Sequence, residues 1–329
     1  MKKSLFLVLL ISNFFGYTQY TSIPDVNFEK ALINLGIDNG AVDGKVITDN
    51  VSGVVYLNVE NSNIANLTGI QDFVSLRGFV CSNNKLTKLD VSKNILLENI
   101  SFYGNQLTTI DLSNNKNLQS IASGANLLTN LDLSKNTVLH YLYSDSNLLT
   151  ILDVSKNIEL LLFTCSSNPL TNLDVSKNIS LQYFNCQDTQ IANLDLSNNK
   201  DLSDIVCSNN NQLTTLNVKN GNNTKLKSVE FTKNSNLKCI QVDNKVYSDA
   251  NWSSKKDATA SFSENCSKTT NTINPPVITA TGNQTYCPNT SIKIVTGVTI
   301  THDPSETGTD AIYIQISSGY VNGQDLLAL

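Results

Sequence analysis

Residues 149–169 read LTILDVSKNIELLLFTCSSNP, and residues 170–190 read LTNLDVSKNISLQYFNCQDTQ. The two lines agree at Leu149/Leu170, Leu152/Leu173, Asp153/Asp174, Val154/Val175, Asn157/Asn178, Leu160/Leu181, Phe163/Phe184 and Cys165/Cys186. The same register begins upstream at Leu86, Leu107 and Leu128 and downstream at Ile191, always 21 residues apart. The unit at Ile191 is one residue longer, a degenerate copy starts at Leu213, and weaker copies lie around Leu57 and from Leu67 to Cys81. A fixed period of this length marks a solenoid, in which each unit buries its apolar face only by stacking on its neighbours.

Counting each unit from its first Leu or Ile, apolar columns fall at positions 4 (Leu89 to Leu194), 6 (Val91 to Leu196), 12 (Leu97 to Leu202) and 15 (Ile100 to Ile205). Positions 4 to 6 and 15 to 17 alternate with the period of strands, and turn-forming Asn, Ser and Lys lie between them. This predicts a β-rich, parallel-stranded solenoid with two short strands and two turns per coil. Asn recurs at position 20 (Asn84, Asn105, Asn126, Asn147, Asn168, with Thr189 in one unit) and at position 9 (Asn94 to Asn199). An inward Asn amide can serve turn backbone groups of its own and the next coil, so these columns read as structural.

Composition agrees. The 329 residues include 46 Asn and 41 Leu, and 32 of the Leu lie between Leu57 and Leu237. That is too much Leu for disorder and too much Asn for a helical bundle. A net charge of −5 with Arg77 as the single Arg argues against a nucleic-acid-binding surface. Two His and one Met leave little material for a metal or haem site. Gly-x-Ser-x-Gly, His-Glu-x-x-His and Walker patterns are absent, so neither an enzyme nor a cofactor is expected.

The pattern carried by Leu160, Phe163, Cys165, Asn168, Leu170, Leu173, Asp174, Val175 and Asn178 resembles the bacterial leucine-rich repeat family, in its 21-residue nested class. The segment from Ile23 to Leu32 is similar to the helical N-terminal cap of secreted proteins from the Bacteroidetes. The resemblance covers about residues 22–266 and implies a secreted or surface-displayed binding scaffold without enzymatic activity.

Outside the repeats, residues 1–18 read as a secretory signal peptide: Lys2 and Lys3, an apolar run from Leu5 to Ile11 too short to span a bilayer, and cleavage near Thr18. The expected location is secreted or outer cell surface, with no transmembrane helix. Residues 19–45 form a helical cap, in which Asp25 N-caps a helix running to about Leu35 and stopped by Gly36. Phe28, Leu32 and Leu35 then face the first coil. Residues 46–236 are the solenoid and 237–266 a C-terminal cap with Trp252 and Phe262 as lids. Cys239 and Cys266 bracket this cap and are expected to form a disulfide. Cys81, Cys165, Cys186 and Cys207 share position 17, face inward and read as free thiols, while Cys287 has no obvious partner. Residues 267–276 are a linker. Residues 277–329, with strands expected at 292–294 and 312–316, look like the start of a cadherin- or Ig-like β-sandwich, about 50 residues of the roughly 100 that a sandwich needs.

Two surface columns invite a function. Asp90, Asp111, Asp132, Asp153, Asp174 and Asp195 stack at position 5, where Ser at position 7 and Lys at position 8 can compensate them; a metal site is not expected there. The loop from Asp38 to Gly44 is read as a turn rather than a calcium loop. At positions 14, 16 and 18, outward residues include Tyr103, Tyr141, Tyr143, Asp145, Leu162, Thr164, Tyr183 and Asn185. Tyr is amphipathic and loses little entropy on ordering, which suits a ligand-binding face. The expected partner is a surface protein; the alternatives are a glycan, or no ligand at all in a passive spacer.

Overall fold

The computed structural model describes residues 18–266, 277–281 and 297–301. The chain divides into two compact units, Met1–Cys266 and Ser267–Leu329. The expected signal peptide up to residue 17, Cys287, and the strands expected at 292–294 and 312–316 lie outside the described residues.

The first unit opens with β1 (Tyr20–Ser22) antiparallel to β2 (Lys45–Ile47), flanking α1 (Val26–Asn34). Asp25 caps the helix: its Oδ1 accepts from the N–H of Asn27 at 2.9 Å and of Phe28 at 3.1 Å. Its Oδ2 accepts from Ala65 at 2.8 Å and Asn66 at 2.9 Å, so one carboxylate both starts the helix and ties it to the first coil. Phe28 and Leu32 are buried as expected, but Leu35 is 49% exposed. It is the C-cap residue, where the helix ends before Gly36 at φ +71°, and Ala31 shares the buried face with Phe28 and Leu32. Glu29 is also buried, and its carboxylate accepts from the N–H groups of Asp43 and Gly44, which closes the 38–44 turn. A second short helix, α2 (Thr48–Ser52), follows; the sequence pattern had not indicated it.

Nine parallel three-residue strands then make one long sheet: β3 (Tyr56–Asn58), β4 (Gly78–Val80), β5 (Asn99–Ser101), β6 (Ser120–Ala122), β7 (Tyr141–Tyr143), β8 (Leu162–Thr164), β9 (Tyr183–Asn185), β11 (Asp204–Val206) and β13 (Ser228–Glu230). At a strand spacing near 4.8 Å the sheet is roughly 40 Å long. The middle residue of each strand is position 15 and is buried; the Phe163 and Phe184 rings, on neighbouring coils, lie 5.7 Å apart.

The second strand expected in every unit forms only late. β10 (Asn193–Asp195), β12 (Thr215–Asn217), β14 (Cys239–Gln241) and β15 (Ser261–Ser263) make a four-stranded parallel sheet, whereas positions 4 to 6 of the units from Leu86 to Val175 form no paired strand. The reason is physical. Period-two alternation specifies an extended backbone with one side chain inward, as at Leu131 and Leu133, but it does not bring a hydrogen-bonding neighbour within reach.

Position-20 Asn side chains close the core. Asn126 Oδ1 accepts from Leu107 N at 3.0 Å, and its Nδ2 donates to Phe102 O at 3.0 Å on the preceding coil and Ser123 O at 3.1 Å on its own. The partner coil is thus the preceding one. The residue just before each ladder Asn is left-handed: Asn83, Gly104, Ala125, Ser146 and Ser167 have φ between +50° and +67°. This turns the chain sharply out of the strand.

The far end is closed by α3 (Lys245–Trp252), N-capped by Asn244, whose Oδ1 accepts from Tyr247 N at 3.0 Å. Trp252 packs edge-on against Phe231, Tyr247 and Phe262. Cys239 and Cys266 form a disulfide with their Cα atoms 5.8 Å apart, as expected. In the second unit β16 (Val277–Thr281) pairs antiparallel with β17 (Gly297–Thr301).

Candidate functional site

The long sheet places positions 14, 16 and 18 on its outer face. Register puts Tyr141 opposite Leu162 and Leu162 opposite Tyr183, so these three form one row across consecutive coils. Tyr143 lies in the next row, opposite Thr164. Tyr103, Tyr141 and Tyr143 are 47%, 41% and 38% exposed, and Leu162 and Tyr183 are half-buried. Tyr103 joins the group through Gly124. A Cβ on Gly124 would lie 3.1 Å from the Tyr103 ring and 3.0 Å from Asp145 O, so the missing side chain lets the ring lie across the next coil. On the coils around Tyr103 the outward residues are small or polar: Asn99, Ser101, Ser120 and Ala122.

Thr164 does not belong to the accessible face. It is only 7% exposed because Asp145 folds over it. The Thr164 hydroxyl donates to Asp145 Oδ2, and Asp145 Oδ1 accepts from Ser166 N at 2.9 Å and Ser166 Oγ at 2.6 Å. Thr164 therefore positions Asp145 rather than meeting a ligand. Asn185 is half-buried, and its Oδ1 accepts from Gln187 N at 3.0 Å. Burial, with Asp145 and Asp204 nearby, raises the Tyr183 hydroxyl above its ordinary pKa, so it stays a neutral donor.

Asp204 was missed in the sequence. It pairs directly with Tyr183 in the adjacent strand. The signal was available, since Ile205 already fixed the column and placed Asp204 at position 14. His140 lies beside Tyr141 with ring centroids 6.2 Å apart and places Nε2 3.4 Å from Glu159.

The other columns are structural. Each position-5 Asp accepts from the N–H two residues on: Ser92, Ser113, Ser134, Ser155, Ser176 and Ser197 donate at 2.8–3.0 Å. The Asp column is a stack of Asx turns. Cys81, Cys165, Cys186 and Cys207 are buried free thiols. Burial raises the Cys81 and Cys165 pKa values; a hydrogen bond with Cys207 and burial raise that of Cys186, which keeps these three unreactive. Among the described residues no group of His, Cys, Asp and Glu could hold a metal ion, and no helix is long and apolar enough to cross a membrane.

The chain matches no model of a protein family and no curated protein. Solved structures do resemble it. Internalin C2 of Listeria monocytogenes is 17% identical, with a TM-score of 0.50, over 68% of this chain and 97% of that one. The fold is a leucine-rich-repeat solenoid. An internalin InlF from the same species is 20% identical over 67% of this chain and 84% of that one, TM-score 0.49. The functional domain of L. monocytogenes InlJ, described as including a cysteine ladder, is 22% identical over 68% of this chain and 76% of that one, TM-score 0.38. At these identities the likeness is one of fold.

Proposed function

We propose that this solenoid is a secreted or surface-displayed, non-enzymatic scaffold that binds a protein on its strand face. The observation that carries the reading is the contiguous group of Tyr141, Tyr143, Leu162 and Tyr183, extended by Tyr103, beside two strands, β5 and β6, whose other outward residues are small or polar; the exposed Tyr56 stands apart on the edge strand β3. Rigid, amphipathic Tyr side chains on a fixed backbone give contact area at little entropic cost. The leucine-rich-repeat fold supports protein binding as the general use. Export rests on the basic, apolar and small-residue order of residues 1–18.

The test is a binding screen of the chain and its Tyr141→Ala/Tyr143→Ala/Tyr183→Ala variant against panels of surface proteins and glycans. A protein ligand lost in the variant supports the reading. Glycan hits alone would replace the protein partner with a sugar, and hits indifferent to the variant would remove the site from this face. The variant should melt with the parent, because two of the three side chains are well exposed.

A further inference from the structure

The Tyr face has a charge that nothing on it compensates. Across the nine strands, the outward positions from Tyr56 to Thr232 hold the carboxylates Glu60, Asp145, Asp204 and Glu230 and no Lys or Arg. Glu230 meets Lys255 at 3.8 Å. Among the described residues no Lys or Arg lies within ion-pair distance of Asp145 or Asp204. Their hydrogen-bond partners are neutral. Asp145 accepts from Thr164 and Ser166, and Asp204 accepts from the Ser203 hydroxyl. Neutral donors orient a carboxylate and leave its charge in place.

These two carboxylates flank the aromatic row. Asp204 is the strand partner of Tyr183 on one side, and Asp145 stands at the end of the Tyr141–Tyr143 strand on the other. Both carboxylates act on the Tyr183 hydroxyl, so a cation above that ring would lie in the field of the two together, with Asp204 on the adjacent strand. Guanidinium and ammonium groups are drawn to ring faces and pair with carboxylates, and guanidinium also stacks on the ring.

We propose that the protein partner presents a basic segment, whose Arg or Lys side chain seats on Tyr183 between Asp145 and Asp204 while its apolar part covers Tyr141, Tyr143 and Leu162. The proposal rests on the strand-face reading and gives the chemistry of the partner. Opposite charge at such an interface sets orientation and on-rate, so binding is salt-sensitive.

The full chain is used to select from a displayed library of random peptides of about twelve residues, the scale of an extended segment laid along a groove. Enrichment in Arg and Lys is expected. The selected peptides should bind the Asp145→Asn/Asp204→Asn variant at least about tenfold more weakly, with much of the difference removed by high salt. Asp204→Asn alone is the second variant, because Asp145 also holds Thr164; it should show a smaller loss of the same sign. Neutral or acidic winners, no enrichment, or unchanged binding by both variants overturns the basic-partner proposal. If selected peptides instead bind the triple Tyr→Ala variant as well as the parent, it is the strand-face reading that fails.

Discussion

Asn147 Oδ1 accepts the backbone N–H of Leu128, on the coil before, at 3.0 Å. No other acceptor serves that N–H, and Asn147 Nδ2 also donates to Ser123 O, Ser144 O and Asp145 O. The second Asn column is different. Asn157 Nδ2 donates to Leu133 O and Asn136 O, but both carbonyls already accept backbone N–H groups, and Asn157 Oδ1 has no partner among the described residues. Asn147→Ala should therefore destabilise by about 2–3 kcal/mol and Asn157→Ala by about 1, since an orphaned buried N–H costs more than a carbonyl that keeps one donor. Urea midpoints would check the order; equal losses would show that the two ladders are equivalent.

Ala125 holds φ at +50°, a region that costs a residue with a Cβ roughly 1 kcal/mol relative to Gly. Ala125→Gly should stabilise the chain slightly, raising the melting temperature by about 2–4 °C. Gly104→Ala should do the reverse, because φ there is +67° and the new Cβ would lie 2.4 Å from Asn83 Oδ1, which must move. Differential scanning calorimetry of the two variants tests opposite signs from one column.

The Asx turns give the solenoid an acid limit. Backbone N–H groups and then hydroxyls of Ser134, Ser155 and Ser176 hold the carboxyls of Asp132, Asp153 and Asp174 below their ordinary pKa; for Asp111 the Ser113 hydroxyl leads. A folded pKa below the unfolded one means stability present above about pH 4 and lost as pH falls through the folded values. Thermal melts from neutral to acid pH should drop below about pH 4, and Asp132→Asn/Asp153→Asn/Asp174→Asn should flatten that drop. An unchanged profile would place the acid sensitivity elsewhere.

The Cys239–Cys266 bridge spans a sequence separation of 27 and closes the last coils, where α3 covers Phe231 and Phe262. Replacing both by Ser should cost roughly 3–4 kcal/mol in the chain-entropy account. Hydrogen exchange should show the loss beginning at the C-terminal coils, because a solenoid frays from its ends. Uniform loosening would contradict nearest-neighbour stacking.

Much of this molecule was set by local order along the chain. A Leu every 21 residues fixed the coil, Asp25 and Gly36 the bounds of the first helix, Asn84 to Asn168 the inner ladder, and Cys239 and Cys266 the bridge. These are readable because burial, capping and turn chemistry depend on residue type at short range. Tertiary structure decided what depends on neighbours across coils. The pairing of positions 4 to 6 only from Asn193 onward, the burial of Thr164 under Asp145, and the seat of Tyr103 over Gly124 all turn on the distance and register of the adjacent coil. Alternation along one strand says which side chains point outward. Whether such a residue stays open to solvent is set by what the next strand places beside it, as Asp204 is placed beside Tyr183.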